Sequence, residues 1–575
     1  MDSIGFKNFR RFANFPSIDL KNVTILVGGN NSGKSTIVKA LLLCVDNLRL
    51  MSMNDRRRNE SDSPILFSLP VFRFDANAYH DAKVKTFKRA IHNKPVETLN
   101  LETLKEEKKF PTTITFEFEM GGFGFTFEVA GNPDDKDSTT GDVLSIVIED
   151  KMAQVRYSVF YNSRMMTYEV LNPDGQRKES LIKKLARSYR NTKADLEKAK
   201  ESGDLDSIVG LQQKYDKIIA QVAALSDNEG EEVEDIDEDR IIDIFEDIYK
   251  RNKPVKASYD MPLSISRNEV AEPVVLNVIS NIINFATVQL VEPKEDPNDD
   301  PGVFSADVVS YQILQANQEA IKLDLDKIRQ SKEDLADVLN SFEIEYISAH
   351  AAHQDTIYKN DDADYLAKVV HEFYRHRIVK GEDEYEFVKH WMSKFGIGID
   401  FEVTAYDGEA YRVDITEEED GTPVPLGDKG MGSIQMMILL LRLATIMRYR
   451  KRYQLPTIIA IEEPEQNLHP KMQSLLADMF EEITRSNNWR FVIETHSEYI
   501  IRRAQVIVSE SNYIDEEDLR EHNPFKIYYL PEDGRDRYEM KFKTSGRFEN
   551  SFDEGFFDVA GKANLITLRK ERSRK

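Results

Sequence analysis

The sequence predicts an α/β fold built from both ends of the chain, with antiparallel β elements and a central helical insertion. Near the start, an apolar strand at residues 23–27 leads into a glycine-containing loop and then into a helix with one apolar side. Far downstream, continuous apolar runs at 457–461 and 491–493 are typical of buried parallel strands. Between these ends, residues 176–225 are polar and rich in Lys and Glu, as in exposed helices. We therefore expect the two ends to fold together around an insertion.

The first part of the chain is predicted to be rich in strands. Short apolar runs at 4–6 and 18–20 predict two strands before the one at 23–27. Residues 114–120 and 123–129 then alternate apolar and polar side chains around Gly121-Gly122. This pattern predicts a β-hairpin, because two glycines supply the positive φ angles that tight hairpin turns need.

The insertion admits two interpretations. Its apolar residues follow steps of three and four, the spacing of a coiled-coil seam, at Ile208, Leu211, Tyr215, Ile218, Val222 and Leu225. A break at 202–204 makes a short antiparallel helical hairpin one interpretation, and two amphipathic helices packed on the core the other. Eight of the eleven residues at 229–239 are carboxylates, which predicts a flexible connector.

The remaining elements complete a three-part division of the chain. A second helical stretch at 308–342 leads into a predicted strand at 343–347. After it come a hairpin at 401–415, a long apolar helix at 433–450 and a helix at 470–483. We predict an N-terminal lobe at 1–175, a helical insertion with an acidic linker at 176–345, and a C-terminal lobe at 346–575.

Composition narrows the class of protein. The net charge of −24 argues against a surface covered with nucleic-acid contacts, although basic runs such as 83–94 and 448–452 leave a DNA-binding groove as an alternative. The most apolar stretch, 434–447, contains Arg442 and is shorter than the roughly 20 residues that span a bilayer. With a single cysteine, Cys44, and no secretory pattern at the start, we expect a cytoplasmic protein without a membrane partner.

The loop after the first buried strand carries the strongest motif. Residues 28–35 read Gly-Gly-Asn-Asn-Ser-Gly-Lys-Ser and match the phosphate-loop pattern, with a strand before and a helix after. Such a loop points backbone N–H groups at phosphates, while its lysine reaches the β- and γ-phosphates and its serine binds Mg²⁺. The predicted nucleotide contacts are Gly28, Asn30, Asn31, Ser32, Gly33, Lys34, Ser35 and Thr36, with Ser35 also a metal ligand.

Acidic and imidazole side chains follow the two downstream strands. Glu462 and Glu463 end the first strand, and we expect Glu462 to contact Mg²⁺ and Glu463 to act as general base toward water. His496 follows the second strand, where its imidazole can sense the γ-phosphate. A third glycine-rich segment, 427–433, opens the long helix and offers a helix N-terminus to an anion.

Taken in order, these motifs resemble the ATP-binding-cassette (ABC) ATPase heads of the RecF, SMC and OLD families. The resemblance implies an ABC-type P-loop NTPase head that binds ATP and Mg²⁺, hydrolyses ATP slowly and dimerises. It assigns residues 28–36 to Walker A, 462–463 to Walker B, 467–469 to the D-loop and His496 to the switch histidine.

The resemblance also suggests residues for less regular motifs. The signature segment departs from Leu-Ser-Gly-Gly-Gln, and its candidates are Gly430, Gly432 and Ser433. Arg10, after a first strand like that of such heads, is a candidate nucleotide contact. Gln289 and Gln354 are candidates for the Q-loop glutamine.

Within this group the sequence is most similar to stand-alone ATPases of bacterial anti-phage systems. Glu-Glu-Pro-Glu at 462–465 and Thr-His-Ser-Glu at 495–498 resemble the ATPase subunit of Septu systems, including retron-associated forms. The resemblance implies a separate nuclease effector, of HNH type, as partner, with DNA or a reverse transcriptase and its RNA as further candidates. The alternatives are a DNA-repair clamp of the SMC or RecF kind and an ATP-assembled scaffold.

Overall fold

A computed structural model gives the arrangement of the chain's two ends and of part of the insertion. It describes residues 1–52, 65–66, 70–75, 84–100, 105–132, 134–135, 137–171, 192–193, 195–200, 208, 210–215, 217, 255–260, 264–265, 274–288, 325–348, 358–359, 365–407, 410–419, 421–451, 456–531, 537–553 and 556–557.

A mainly parallel sheet lies at the centre of the described part of the chain. Its six strands in chain order are β3 (Val23–Gly28), β15 (Glu343–Ile347), β20 (Thr457–Glu462), β21 (Trp489–Thr495), β22 (Phe525–Leu530) and β23 (Tyr538–Glu539). Their spatial order is β15-β20-β21-β3-β22-β23, with β23 antiparallel to its neighbour. The N-terminal strand β3 therefore lies between two strands from the C-terminal part of the chain.

An antiparallel sheet comes almost entirely from the first 170 residues. Its strands are β1 (Ser3–Phe9), β2 (Phe12–Asp19), β5 (Val71–Arg73), β8 (Thr113–Met120), β9 (Phe123–Ala130), β10 (Thr140–Asp150), β11 (Val155–Phe160), β12 (Met165–Val170) and β13 (Val255–Asp260). These described strands lie in the order β13-β12-β11-β10-β9-β8-β1-β2, and β5 pairs with β10. Strict alternation of buried and half-buried residues along β8 and β9 gives the sheet one core-facing side.

Smaller strand pairs and a second antiparallel unit complete the β structure. The remaining strands are β4 (Ile65–Leu66), β6 (Val96–Asn100), β7 (Lys105–Lys109), β14 (Ser264–Ile265), β16 (Tyr358–Lys359), β17 (Asp400–Tyr406), β18 (Ala410–Thr416) and β19 (Val424–Pro425). Strand β17 pairs with β18 over its whole length, as predicted for the hairpin at 401–415.

The helices cover both faces of the central sheet. In the described part of the chain they are α1 (Lys34–Ser52), α2 (Phe87–Ala90), α3 (Val274–Val288), α4 (Leu325–Ser341), α5 (Tyr365–Arg375), α6 (Asp383–Lys394), α7 (Met431–Lys451), α8 (Pro470–Ser486), α9 (Glu498–Glu510) and α10 (Glu516–His522). A 3₁₀ turn at Leu426–Asp428 precedes α7. Helix α8 begins with Pro470 at its first position, where the missing N–H has no intrahelical partner to lose.

The central sheet separates two hydrophobic cores. Along β3, Leu26 joins the core shared with α1 and the antiparallel sheet, whereas Ile25 and Val27 join the core shared with α5 to α9. Because successive strand residues point to opposite faces, both faces of β3 are buried, and all six of its residues are buried. The buried apolar strand predicted at 23–27 is confirmed.

The mixed α/β class with antiparallel sheets is confirmed, as is the hairpin at 114–129. The long helix begins at Met431, two residues earlier than predicted. Residues 195–200 and 210–215 are helical, but Ile218, Val222 and Leu225, half of the predicted coiled-coil seam, lie outside the described residues. The Q-loop candidates Gln289 and Gln354 also lie outside them, and the three-part division stays a prediction.

Helix α7 is long and apolar enough to cross a membrane by length and composition, over Met431–Arg450. In the described part of the chain it packs against α5 and α6, and most of that segment is buried. Its Arg442 forms ion pairs with Glu345, at 3.0 Å, and with Glu372. These contacts are those of a core helix.

Candidate nucleotide-binding site

The phosphate loop spans the turn between β3 and α1. Asn31 and Gly33 both have positive φ, at 62° and 107°, which lets the chain curl before the helix begins. Gly28 has no room for a side chain, because a Cβ there would lie 2.4 Å from the carbonyl oxygen of Leu530. The predicted motif therefore adopts a tight loop that opens α1.

Lys34 lies at the centre of this loop. Its side chain is 3% exposed, and Nζ donates hydrogen bonds to the carbonyl oxygens of Gly28, at 2.9 Å, and Gly29, at 3.0 Å. These bonds hold an ammonium inside the loop, where an anionic phosphate would be its strongest partner.

The hydroxyl of Ser35 contacts a carboxylate that lies outside the predicted motifs. Ser35 Oγ donates a 2.9 Å hydrogen bond to Oε1 of Glu494 at the end of β21. We expected Glu462 to share the metal with Ser35; Glu462 lies one strand further away, in register with Glu494. The carboxylate nearest to Ser35 is therefore Glu494, because β21 is the strand that lies next to β3.

Three carboxylates converge at this edge of the sheet. Burial, followed by the nearby charges of Glu462 and Glu463, raises the pKa of Glu494 to about 7, although its bond to Ser35 and the charge of Lys34 act in the opposite direction. Negative charge is thus concentrated beside the loop that is predicted to bind phosphates, an arrangement that favours a bound cation.

Glu463 occupies a strained turn directly after β20. Its φ is 44°, a left-handed conformation that is uncommon for glutamate, and its N–H donates a 2.8 Å hydrogen bond to the carbonyl oxygen of Glu494. One carboxylate oxygen accepts a hydrogen bond from the side chain of Gln466. The other lies 3.7 Å from Nε2 of His496. The predicted base and the predicted switch histidine are therefore neighbours.

His496 is held in place through its backbone. Its N–H donates a 2.7 Å hydrogen bond to Oε1 of Glu465, whose side chain is buried. Burial raises the pKa of Glu465. The side chain of His496 is 35% exposed, and its partial burial together with the charge of Lys34 lowers the pKa of the imidazole. The turn after β20 therefore fixes the position of the residue that follows β21.

The predicted signature residues lie at the start of α7, against the turn after β20. A Cβ on Gly432 would lie 2.6 Å from the carbonyl oxygen of Asn467, so this glycine permits a close backbone approach. Nothing surrounds a Cβ on Gly430, which is exposed, and Ser433 donates its N–H to the carbonyl oxygen of Gly430. Gly430 thus faces open space, whereas Gly432 contacts the predicted D-loop of its own chain.

The turn between β1 and β2 brings basic and aromatic side chains to the phosphate loop. Arg10 has a φ of 53° and donates its N–H to the carbonyl oxygen of Ala90 at 2.6 Å. The two residues after Arg10 lie against the phosphate loop. A Cβ on Gly33 would lie 2.5 Å from the ring of Phe12 and 2.8 Å from Cδ of Arg11. Arg11 and Phe12 cover the loop more closely than the predicted Arg10.

Comparison with known protein families assigns the chain to one of them. The family AAA_15, described as "AAA ATPase domain", matches residues 1–501. The chain belongs to the AAA_15 family of AAA ATPase domains. No curated protein matches it. The phosphate loop, the paired glutamates and His496 all lie within the matched residues of this ATPase domain.

Solved Smc head domains align with this AAA_15 chain at low similarity. The head from Pyrococcus furiosus, solved with an extended coiled coil and bound to the C-terminal domain of ScpA, is 10% identical, with a TM-score of 0.29 and coverage of 100% of this chain and 99% of that one. The head from Pyrococcus yayanosii is 12% identical (TM-score 0.31, coverage 98% and 99%), and that from Thermotoga maritima 9% identical (0.28, 94% and 98%). The family assignment rests on the AAA_15 match.

The residues present fit the magnesium ion that typically accompanies ATP in an ATPase domain. Oε2 of Glu494 is buried and accepts no hydrogen bond from the described residues, as expected of an oxygen that a cation can engage. Over the described ranges, no three His, Cys, Asp or Glu side chains could enclose a metal by themselves. Mg²⁺ usually binds through one or two carboxylates and the phosphates of its substrate, which is the donor set available here.

Sequence reasoning missed four residues at this site, namely Arg11, Phe12, Glu465 and Glu494. Glu465 lies inside the turn between the predicted Walker B and D-loop motifs, but its partner, the N–H of His496, comes from another strand. Glu494 ends a strand in the same way as Glu462, and that shared position is the signal that could have identified it.

Proposed function

We propose that this ATPase is a nucleotide-controlled switch that binds and hydrolyses ATP at the loop between β3 and α1. The observation that carries the proposal is the meeting of both chain ends: Lys34 and Ser35 from the start lie beside Glu463, Glu494 and His496 from the end. Such a site changes when the two ends shift relative to each other, which is a property suited to switching.

In this proposal each side chain has a distinct task. The loop N–H groups and Lys34 bind the phosphates. Ser35 and Glu462 would hold Mg²⁺, which would supply positive charge to the phosphate oxygens. Glu463 takes a proton from the attacking water as the water oxygen bonds to the γ-phosphorus. The bond between the γ-phosphorus and the β–γ bridging oxygen breaks, and ADP leaves with the electron pair of that bond.

His496 is proposed to report the state of the γ-phosphate. Its lowered pKa favours a neutral imidazole, which can donate one N–H to a phosphate oxygen while it remains close to Glu463. Because Glu465 binds the N–H of His496, movement of the histidine is transmitted to the turn that leads to α8.

We further propose that two such chains associate through the start of α7. The exposed Gly430 and the neighbouring Ser433 present a helix N-terminus that can receive the γ-phosphate bound by a second copy. The contact of Gly432 with Asn467 joins this surface to the turn that carries Glu463. Closure of the dimer and hydrolysis would thereby depend on one another.

The output of the switch is proposed to be a separate nuclease, of HNH type, in a cytoplasmic anti-phage complex. The resemblance at 462–465 and 495–498 to ATPases of that kind supports this proposal. Residues 176–345 are the proposed partner-binding region, because the catalytic motifs leave them unassigned. DNA, or a reverse transcriptase with its RNA, is the other partner class that the same resemblance suggests.

Phage challenge of cells that carry this gene within its native gene cluster tests the proposed output. The wild-type cluster should lower plaque formation, and Lys34→Ala should abolish protection while Lys543→Ala, at an exposed lysine, should keep it. Absence of protection by the wild-type cluster would overturn the anti-phage proposal. Salt-sensitive binding of a fluorescent DNA duplex by the purified chain alone would instead favour the DNA clamp.

A further inference from the structure

We propose that Glu494 is a cation ligand of the nucleotide site, which accepts a hydrogen bond from the Ser35 hydroxyl through Oε1 and binds Mg²⁺ through Oε2. This inference rests on the proposed function, and it assigns to Glu494 a role that the phosphate-loop and Walker B motifs leave open. It makes Glu494, together with Glu462, the acidic side of the metal site.

Burial and hydrogen bonding supply the first argument. Glu494 is 5% exposed, and its Oε1 accepts the 2.9 Å hydrogen bond from Ser35 Oγ. Its Oε2 is buried without a hydrogen-bond donor among the described residues. A buried carboxylate oxygen without a donor is costly, so its presence at this position indicates a partner that binds there.

The register of the sheet supplies the second argument. Glu462 and Glu494 are direct partners on adjacent parallel strands, and both end their strands. The residues two positions earlier, Ala460 and Val492, belong to the core that contains α1. Since side chains alternate between faces, Glu462 and Glu494 point to the face that α1 occupies, where Ser35 lies.

The chemistry of the donor set supplies the third argument. Two carboxylates and a serine hydroxyl are hard oxygen donors, the kind that Mg²⁺ selects. Among the described residues, no arginine or lysine forms an ion pair with Glu494 or Glu462. Lys34 contributes favourable charge to Glu494, but its Nζ donates to the carbonyl oxygens of Gly28 and Gly29. A cation between the loop and the sheet would relieve the repulsion between the two carboxylates.

Replacement of Glu494 by Gln tests the effect of the carboxylate charge on metal binding separately from the effect of side-chain volume. The variant Glu494→Gln keeps an oxygen that can accept the Ser35 hydrogen bond and keeps the volume, but it removes the charge. Glu481→Gln is the matched control, because Glu481 is also a buried glutamate but lies in α8 and pairs with Arg485. In one experiment, full-length wild-type and variant chains are titrated with a fluorescent ATP analogue in EDTA. In a second experiment they are titrated with Mn²⁺ in the presence of ADP, and Mn²⁺ binding is followed by electron paramagnetic resonance.

We expect Glu494→Gln to weaken Mn²⁺ affinity about 10- to 100-fold, the range found for groups that support a metal site. The affinity of Glu494→Gln for the analogue in EDTA should stay within about twofold of the wild-type value, since EDTA removes the metal ion that the carboxylate would bind. Glu481→Gln should change neither value. Wild-type-like Mn²⁺ affinity in Glu494→Gln would overturn the inference and leave Glu494 as a hydrogen-bond partner that merely positions Ser35.

Two further outcomes keep the test decisive. Glu494→Asp retains the charge but withdraws it by one methylene, so it should show a smaller loss of Mn²⁺ affinity; if Glu494→Gln does not fold, unchanged affinity in Glu494→Asp overturns the inference. Failure of the wild-type chain to bind the ATP analogue would overturn the proposed function and this inference together. Wild-type nucleotide binding with unchanged Mn²⁺ affinity in the variants overturns this inference alone.

Discussion

Nε2 of His496 lies 3.7 Å from Oε1 of Glu463, just beyond hydrogen-bond distance. The two residues follow different strands, β21 and β20, and are linked a second time through Glu465, which accepts the N–H of His496. Any displacement of His496 by a phosphate therefore changes the surroundings of the carboxylate that is proposed to activate water.

Replacement of His496 by Ala should lower the rate of ATP hydrolysis more than it weakens ATP binding. Loss of a hydrogen bond to a charged phosphate corresponds to about 1.5–3 kcal/mol, or roughly 10- to 100-fold in turnover. Steady-state phosphate release and binding of a fluorescent ATP analogue measure the two effects. His522→Ala, at an exposed histidine in α10, should change neither.

The pH dependence of the same reaction tests the protonation state of His496. Burial and the charge of Lys34 lower its pKa, so the imidazole is already neutral above its ordinary value of 6.5. Raising the pH from neutral should therefore cause no loss of activity through His496, while acidification through the lowered pKa should charge it and reduce activity. A rate that falls above neutral pH in the wild type but not in His496→Ala would contradict this.

Replacement of Lys34 by Ala should abolish measurable ATP binding. The substitution removes the ammonium at the centre of the loop and with it a charged contact with phosphate of about 1.5–3 kcal/mol. It also removes the hydrogen bonds to the carbonyl oxygens of Gly28 and Gly29 that maintain the shape of the loop. Calorimetric titration with ATP measures the loss of binding, and Lys543→Ala is the control. Normal ATP affinity in Lys34→Ala would refute the Walker A assignment.

The two glycines predicted for the signature segment should respond differently to a methyl group. Gly432→Ala forces a Cβ to within 2.6 Å of the Asn467 carbonyl oxygen, so it should destabilise the fold by about 1–3 kcal/mol. Gly430→Ala meets no atom within 4 Å and should unfold like the wild type. Urea unfolding followed by circular dichroism distinguishes them, and equal stability of the two variants would refute the close approach of α7 to the D-loop.

Cys44 offers a probe of the core around α1. It is the single cysteine of the chain, it is fully buried, and burial raises the pKa of its thiol. Its reaction with Ellman's reagent should be slow in the native protein and should appear with unfolding in urea, since access requires opening of the core. Rapid stoichiometric reaction without denaturant would show that α1 does not pack as described.

Local chemistry explains which parts of this site the sequence could predict. The loop at 28–35 is contiguous, so its strand, glycines and helix start are visible in a short window. Glu462 and Glu463 were visible because an apolar run ends in paired carboxylates. The α/β class followed from the same two signals.

The features of the site that could not be predicted from the sequence depend on contacts between distant segments. The partner of Ser35 depends on which glutamate-bearing strand lies beside β3. Strands β20 and β21 both carry a glutamate at their C-terminal ends, and only the sheet order, in which β21 pairs with β3, gives Glu494 that position. The approach of Phe12 to Gly33 depends on a turn with positive φ at Arg10. Neither feature has a signature within its own segment.

Single-turnover phosphate release by Glu463→Gln tests whether Glu463 activates water for ATP hydrolysis at this site. The variant should bind ATP as the wild type does but hydrolyse it about 10²- to 10⁴-fold more slowly, the contribution expected of a general base. Glu482→Gln, at an exposed glutamate of α8, should hydrolyse ATP at the wild-type rate. Unimpaired hydrolysis by Glu463→Gln, with wild-type ATP binding, would contradict the account.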